Sequence, residues 1–308
     1  MSSVPQAGSA PSVPLVDEPV VPGTSAKLHG GKPLRRYLLW YACASMSIFA
    51  IWGAILGILL PNHVQTIEFN HWFGGADAVV NLQELNNLKA QVAAGTAQPT
   101  PEQQRLLGTL AQFDAARAQS LSIVTAVGVF LTMLIQPIVG VLSDRTRSAW
   151  GRRAPWLVSG AVVGAALLIA MRYSGSIGFL MLLWGLAQLV INVAQGPLTA
   201  TVADRVTEEK VGSASAVSGF GTIVGSLLGG LGAGLLFATL GLDTYFPFAI
   251  ALVLLVVVFV LRVPDRSSRA LAVEPMNWGR FVASFLAPLR DVDYRWVWIA
   301  KVVMLFGY

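Results

Sequence analysis

The chain has 308 residues, of which 55% are hydrophobic and only 12% charged, with 30 glycines and a mean hydropathy of +0.63. A water-soluble domain carries about 25% charged residues, so this composition excludes one. The net charge of +5 does not point to nucleic acid, because the basic residues cluster between apolar runs, where arginine and lysine set membrane orientation. The single cysteine, Cys43, lies inside an apolar run and excludes an intrachain disulfide or a multi-cysteine metal site.

Residues 1–33 hold Pro5, Pro11, Pro14, Pro19 and Pro22 among small residues without an apolar period, a composition that predicts a disordered cytoplasmic tail. The basic cluster Lys27, Lys32, Arg35 and Arg36 comes too late for a secretory signal and leads into a run long enough to span. A hydrocarbon core of ~30 Å needs ~20 apolar helical residues. Runs over 38–60, 120–142, 156–171, 177–199, 214–240 and 245–261 meet that need or approach it, and none contains Asp, Glu, Lys or Arg. A seventh run begins near Trp296 and stops at Tyr308, short of a crossing. The expected fold is an all-α membrane protein, with a six-helix bundle over 34–262 and the truncated start of a seventh helix over 294–308.

Charge placement orients these spans. With a cytoplasmic N-terminus, the outer segments carry only Lys89, Arg105, Arg117 and Arg172, and nearly all other basic residues fall inside. The outer loop, about 62–119, is long enough to need structure of its own. Thr100, Pro101 and Gln103 form a capping-box pattern that predicts a helix running on into the second span, and Gly95 ends a shorter helix that starts near Asn81. The segment 263–293 reads as a cytoplasmic linker, with Trp278 and Phe281 beside Arg280 suiting a helix on the membrane face.

The second span ends in a loop that contains Gly140, Asp144, Arg145, Arg147, Gly151, Arg152 and Arg153. Positive-inside bias alone needs neither the aspartate nor the glycine. A second loop follows the fourth span with Gly196, Pro197, Ala203, Asp204, Arg205 and Gly212. The first loop resembles the signature loop between helices 2 and 3 of the major facilitator superfamily, in the longer variant of its glycoside-pentoside-hexuronide and sucrose-type symporters. The second is similar to the helix 4 to 5 loop of the same group. The resemblance covers residue 34 onward and corresponds to the N-terminal half of such a carrier, a bundle built as a 3+3 inverted repeat.

The resemblance implies a conformational latch at Gly140, Asp144, Arg145, Gly151, Arg152 and Arg153, with Asp204 and Arg205 in the second motif. Gly140 would allow close helix approach. Asp144 would face a helix N-terminus in the second six-helix half, which this sequence does not contain, and would break that contact when the halves rock. For Arg147 a plain orientation role stands equally. The implied location is a plasma membrane of the bacterial inner-membrane kind, spanned several times.

Polar side chains within apolar spans must be satisfied internally or face a watery cavity. In the fourth span Trp184, Gln188, Asn192, Gln195 and Thr199 recur on one helical face. A ring that stacks on sugar C–H faces, followed by amides that exchange hydrogen bonds with hydroxyls, suits a saccharide, while bonds between neighbouring helices remain the plain alternative. Trp52 and Gln136 are weaker candidates, and Asn62, His63 and Gln65 lie at the outer mouth. In the fifth span Gly221, Gly225 and Gly229 permit a close helix crossing. This stretch resembles the glycine-rich motif of family antiporters, except that Ser226 stands where that motif has proline.

No span holds a carboxylate for proton or sodium coupling, and the sodium-site aspartates of melibiose-type relatives have no counterparts, so the coupling ion stays open. No cofactor or metal is called for: His63 and His71 alone make a weak ligand pair. No span carries a catalytic pair, so the expectation is not an enzyme but a secondary transporter of a small polar solute, plausibly a sugar or glycoside, working by alternating access. The alternative is a truncated or non-transporting six-helix protein that serves as a partner-binding subunit.

Overall fold

The computed structural model describes residues 24–272 and 291–306, together with Gly279 and Ala283. The expectations for residues 1–23 of the tail, and for Trp278, Arg280 and Phe281 of the linker, lie outside the described residues. The chain divides into two compact units, Met1–Leu271 and Ala272–Tyr308. In the second unit a helix covers Val292–Phe306 and holds the start of the seventh apolar run.

The described part of the first unit holds α1 (Gly31–Trp72), α2 (Leu82–Ala93), α3 (Pro101–Asp144), α4 (Ala154–Met171), α5 (Ile177–Arg205), α6 (Glu208–Leu240) and α7 (Tyr245–Arg262). Among the described residues five helical stretches are long and apolar enough to cross a membrane, and the last of them, Glu208–Arg262, is α6 and α7 joined through a 3-10 turn at Gly241–Thr244. Gly241 adopts φ +55° and breaks the helix there. The chain then reverses: Tyr245 meets His63 on the far half of α1, while Arg262 lies 5.4 Å from the Trp40 ring on the near half. The apolar spans of this unit therefore number six, in an all-α membrane bundle.

One feature of the bundle comes from small residues. Along the α1–α6 seam, a Cβ on Gly229 would lie 2.1 Å from the Ala50 carbonyl oxygen, and one on Gly53 would lie 2.0 Å from that of Ser226. Backbone therefore meets backbone, the contact that small residues permit in membrane helices. Elsewhere large side chains fill the interior, with Tyr37, Tyr41, Ile48, Ile51, Trp184 and Tyr245 almost wholly buried. Leu227, Leu231 and Leu235 on α6 point out, as lipid-facing residues should. α3 is the least enclosed span: 18% of its apolar window is buried, against 50% for α5.

The end of the bundle opposite the arginine-rich loops carries a small cap. α1 continues through a π turn at Ile55–Leu59 to Trp72, so residues 62–72, read from the sequence as loop, extend the first helix. Asn81 accepts from the Gln83 amide at 2.9 Å and starts α2, and Gly95 follows its end with φ +73°. Thr100 and Gln103 close the capping box that starts α3, the hydroxyl accepting at 3.2 Å and the Gln103 side chain accepting at 2.9 Å. Phe73, Leu85, Leu110 and Phe113 give the cap its own core. The Arg105 guanidinium beside Asp77 holds that carboxyl below the usual carboxylate range. Glu68 is buried where α1 enters the cap and accepts from Ser120 Oγ of α3 at 2.6 Å.

Candidate functional site

At the arginine-rich end, Arg153 is the hub. Its side chain is 7% exposed, and its five N–H groups reach three acceptors: Asp204 Oδ2 at 2.9 Å, Asp144 Oδ1 at 2.5 Å and Ser143 Oγ at 2.6 Å. Arg152 donates to the other oxygen of Asp204. Ser143 passes its own proton on to the Gly140 carbonyl at 2.9 Å. The cluster thus joins the end of α3, the start of α4 and the end of α5 through charge-assisted bonds, the strongest class available to these side chains. The two loops singled out in the sequence meet here, Asp144, Arg152 and Arg153 from the first and Asp204 from the second. Arg145 is the residue on which α3 ends.

Gly151 and Arg205 face the segment that follows α7. Gly151 has φ +86°, a conformation L side chains rarely adopt, and a Cβ on it would lie 2.4 Å from Cβ of Asp265. Arg205 donates to the Pro264 carbonyl at 2.8 Å and stands 3.4 Å from Asp265 Oδ1. Ser268 Oγ donates to Thr146 O and accepts from the Ser148 amide, each at 2.9 Å. The N-terminal segment joins in, since Ser25 Oγ donates to Asp265 and the Leu28 amide donates to the Arg205 carbonyl at 2.7 Å. Tyr37, Arg153, Thr201, Arg205, Phe259 and Asp265 line a small cavity beneath this layer. Gly140 presents its Cα to open space, for a Cβ on it would meet nothing within 4 Å.

The second constellation runs along α5. Trp184, Gln188 and Asn192 are buried, Gln195 is half-buried and Thr199 is exposed. α1 and α3 close over them. Trp52 Nε1 donates to Gln195 Oε1 at 2.9 Å, and its ring meets that of Trp184 edge-on at 5.9 Å. Gln136 donates to Asn192 Oδ1 at 2.9 Å, Thr132 donates to Gln188 Oε1 at 3.0 Å, and Asn192 Nδ2 reaches the Gln188 carbonyl at 2.7 Å. Thr199, which the sequence placed on this face, is exposed and donates to the Gln195 carbonyl of its own helix at 3.1 Å, while α3 supplies partners for two of the amides. The surface is neutral, two-ringed and rich in both donors and acceptors, the chemistry of a polyol partner rather than of an ion.

His63 sits apart from both constellations. It is buried, with Nε2 3.0 Å from the Ser174 carbonyl and Nδ1 3.3 Å from the Tyr245 hydroxyl, and so ties α1 to the α4–α5 turn and to α7 rather than lining an open mouth. Among the described residues no group of three or more His, Cys, Asp and Glu could hold a metal ion. Ser143, Asp265, Ser268 and Thr132 take part although no sequence motif pointed to them. Only Asp265, an acid directly after a proline at the end of a span, carried a local signal.

Six apolar spans, with two arginine–aspartate loops locked together at one end and a polar face buried at mid-span, make a multi-pass membrane protein. The chain belongs to the Major Facilitator Superfamily, whose family model matches residues 37–308. It is 29% identical over 119 residues to the sucrose transport protein SUT1 of Oryza sativa subsp. japonica, covering 32% of this chain and 22% of that protein. It is 31% identical over 137 residues to the lactose permease of Leuconostoc lactis, covering 42% of this chain and 21% of the permease. A short stretch of 39 residues is 49% identical to an uncharacterized symporter of Synechocystis, 13% of this chain and 7% of that protein. The chain thus spans about a fifth or less of the length of these relatives. These relatives are named as a transport protein, a permease and a symporter.

Proposed function

We propose that this protein is a saccharide or glycoside carrier that works by alternating access, and that its six spans form the front half of that carrier, against which a second six-helix bundle rocks. The observation that carries the reading is the neutral face of α5, where Trp184, Gln188, Asn192 and Gln195 line up with Trp52 from α1. Rings and amides of this kind discriminate by hydroxyl pattern, since a site built to hydrogen-bond a hydroxyl rejects an analogue that lacks it. The names of the relatives, a sucrose transport protein and a lactose permease, support a sugar as the solute.

The Arg153 cluster is then the latch on the cytoplasmic face of a plasma-membrane protein, oriented by its arginines. Asp144 is the most exposed member of the cluster, at 53% of its side chain. With one oxygen on Arg153, it is placed to exchange that contact for one in the second half, and Gly140 gives the facing helix room to approach. A proton or sodium ion is the coupling partner that a symporter of this kind would use.

Uptake of labelled sucrose and lactose into proteoliposomes that contain the carrier with both six-helix halves tests the reading. Gln188→Ala and Asn192→Ala should each raise the half-saturating concentration about tenfold, the equivalent of about 1.4 kcal/mol of lost hydrogen bonding. Saturation curves unchanged in both variants would return the two amides to helix packing, whose pair energy averages only about 0.6 kcal/mol. Absence of uptake of any saccharide by the wild type would end the saccharide reading.

A further inference from the structure

α3 comes closest to the α5 polar face at Gly128. A Cβ there would lie 2.2 Å from Gln188 Nε2, 2.7 Å from Gln188 Cδ and 3.0 Å from Trp184 Nε1. A larger residue at this position displaces the Gln188 amide from its seat against α3 and presses on the Trp184 indole. Beyond Gly128, Thr132 and Gln136 follow at four-residue intervals on the same face of α3 and zip onto Gln188 and Asn192. One group on this face is left out. Among the described residues the Trp184 indole N–H, fully buried, has no acceptor, although a buried donor without a partner is uncommon and calls for a cause.

Resting on the saccharide-carrier reading, we infer that Gly128 is the closure point of the solute site, a positioning residue that lets α3 shut onto α5 when the site is empty, and that the Trp184 N–H finds its acceptor in a solute hydroxyl once α3 withdraws. In the shut state the amides satisfy one another and Gln188 and Asn192 are buried, with Gln136 at the exposed rim. Opening exchanges the Thr132 and Gln136 contacts for solute hydroxyls and gives Trp184 the acceptor it lacks. None of Trp184, Gln188, Asn192, Thr132 and Gln136 bonds a charged side chain, so the solute favoured is an uncharged polyhydroxylated molecule.

The carrier with both six-helix halves in proteoliposomes, with sucrose and lactose as probes, separates closure from mere packing. Gly128→Ala should lower the maximal rate about tenfold without raising the half-saturating concentration, because the shut state is lost while the solute-ready state becomes more populated. Trp184→Phe keeps the ring, loses the N–H and should raise the half-saturating concentration several-fold at little cost in maximal rate. If Gly128 and Trp184 only pack, the variants lower the amount of folded carrier and leave both constants per folded carrier unchanged, which overturns the inference. A second readout needs no solute: with Cys43→Ser as background, Thr132→Cys should react with a thiol reagent several-fold faster once Gly128→Ala is added. Equal labelling rates overturn closure whatever the protein carries. Failure of the wild type to take up either sugar overturns the saccharide reading instead, and the labelling comparison still decides the role of Gly128.

Discussion

Arg153→Met is expected to reduce transport to background while the protein still inserts in the membrane. The side chain is nearly excluded from solvent and gives bonds to Asp144, Asp204 and Ser143. Removing it leaves Asp204, 22% exposed, with Arg152 alone. Taking one partner from a buried ion pair costs about 3–5 kcal/mol, because the remaining charge stays in a medium that cannot solvate it. Here the penalty falls on the junction of α3, α4 and α5 and not on the apolar spans, so the bundle should survive with a loosened end. Arg153→Lys should recover only a small part of the activity, since one ammonium cannot present the planar fork that reaches three acceptors at once. Uptake per folded carrier, with the thermal midpoint measured in detergent, checks both statements. Wild-type uptake by Arg153→Met would remove the latch from the account.

Gly229→Ala and Gly53→Ala should be the most destabilising conservative changes in the bundle, whereas Gly219→Ala, on the same helix as Gly229, should be neutral or stabilising. The added methyl groups of the first two would lie 2.1 Å and 2.0 Å from backbone carbonyl oxygens across the α1–α6 seam, and that of Gly219 would meet nothing within 4 Å. A backbone atom cannot rotate out of the way, so the helices must separate and lose the close contacts on either side of the clash. Overpacking of this kind costs about 1–3 kcal/mol and sometimes more. The exposed site gains instead from the better helix propensity of alanine, about 1 kcal/mol over glycine. Thermal midpoints of the three variants in one detergent should therefore split into two large falls and one unchanged or raised value. Three equal midpoints would contradict the seam.

What was legible in the sequence follows from what local chemistry can encode. Span positions were readable because hydrocarbon demands long runs free of charge, and the helix starts at Asn81 and Thr100 because capping uses neighbours three residues apart. The α5 face was readable because its polar residues stand out against an apolar helix. Partners across helices were not. In an apolar span every face is apolar, so no hydrophobic period tells which side meets which neighbour. That is why Thr132 and Gly128 went unseen, and why the meeting of Arg153 with Asp204, 51 residues away, needed the folded chain. Glu68 and His63 were read as belonging outside the spans or at an open mouth. Both are instead buried, because α1 runs on past its apolar stretch and carries them against Ser120, Ser174 and Tyr245.

The central claim is that a saccharide occupies the polar face of α5, and solute protection of a single thiol measures this most directly. Gln195→Cys in a Cys43→Ser background places a reactive group at the half-buried end of that face. Saturating sucrose or lactose, whichever the protein takes up, should slow its labelling several-fold, while mannitol at the same osmolarity should not. Identical labelling rates with and without the transported sugar would contradict the account.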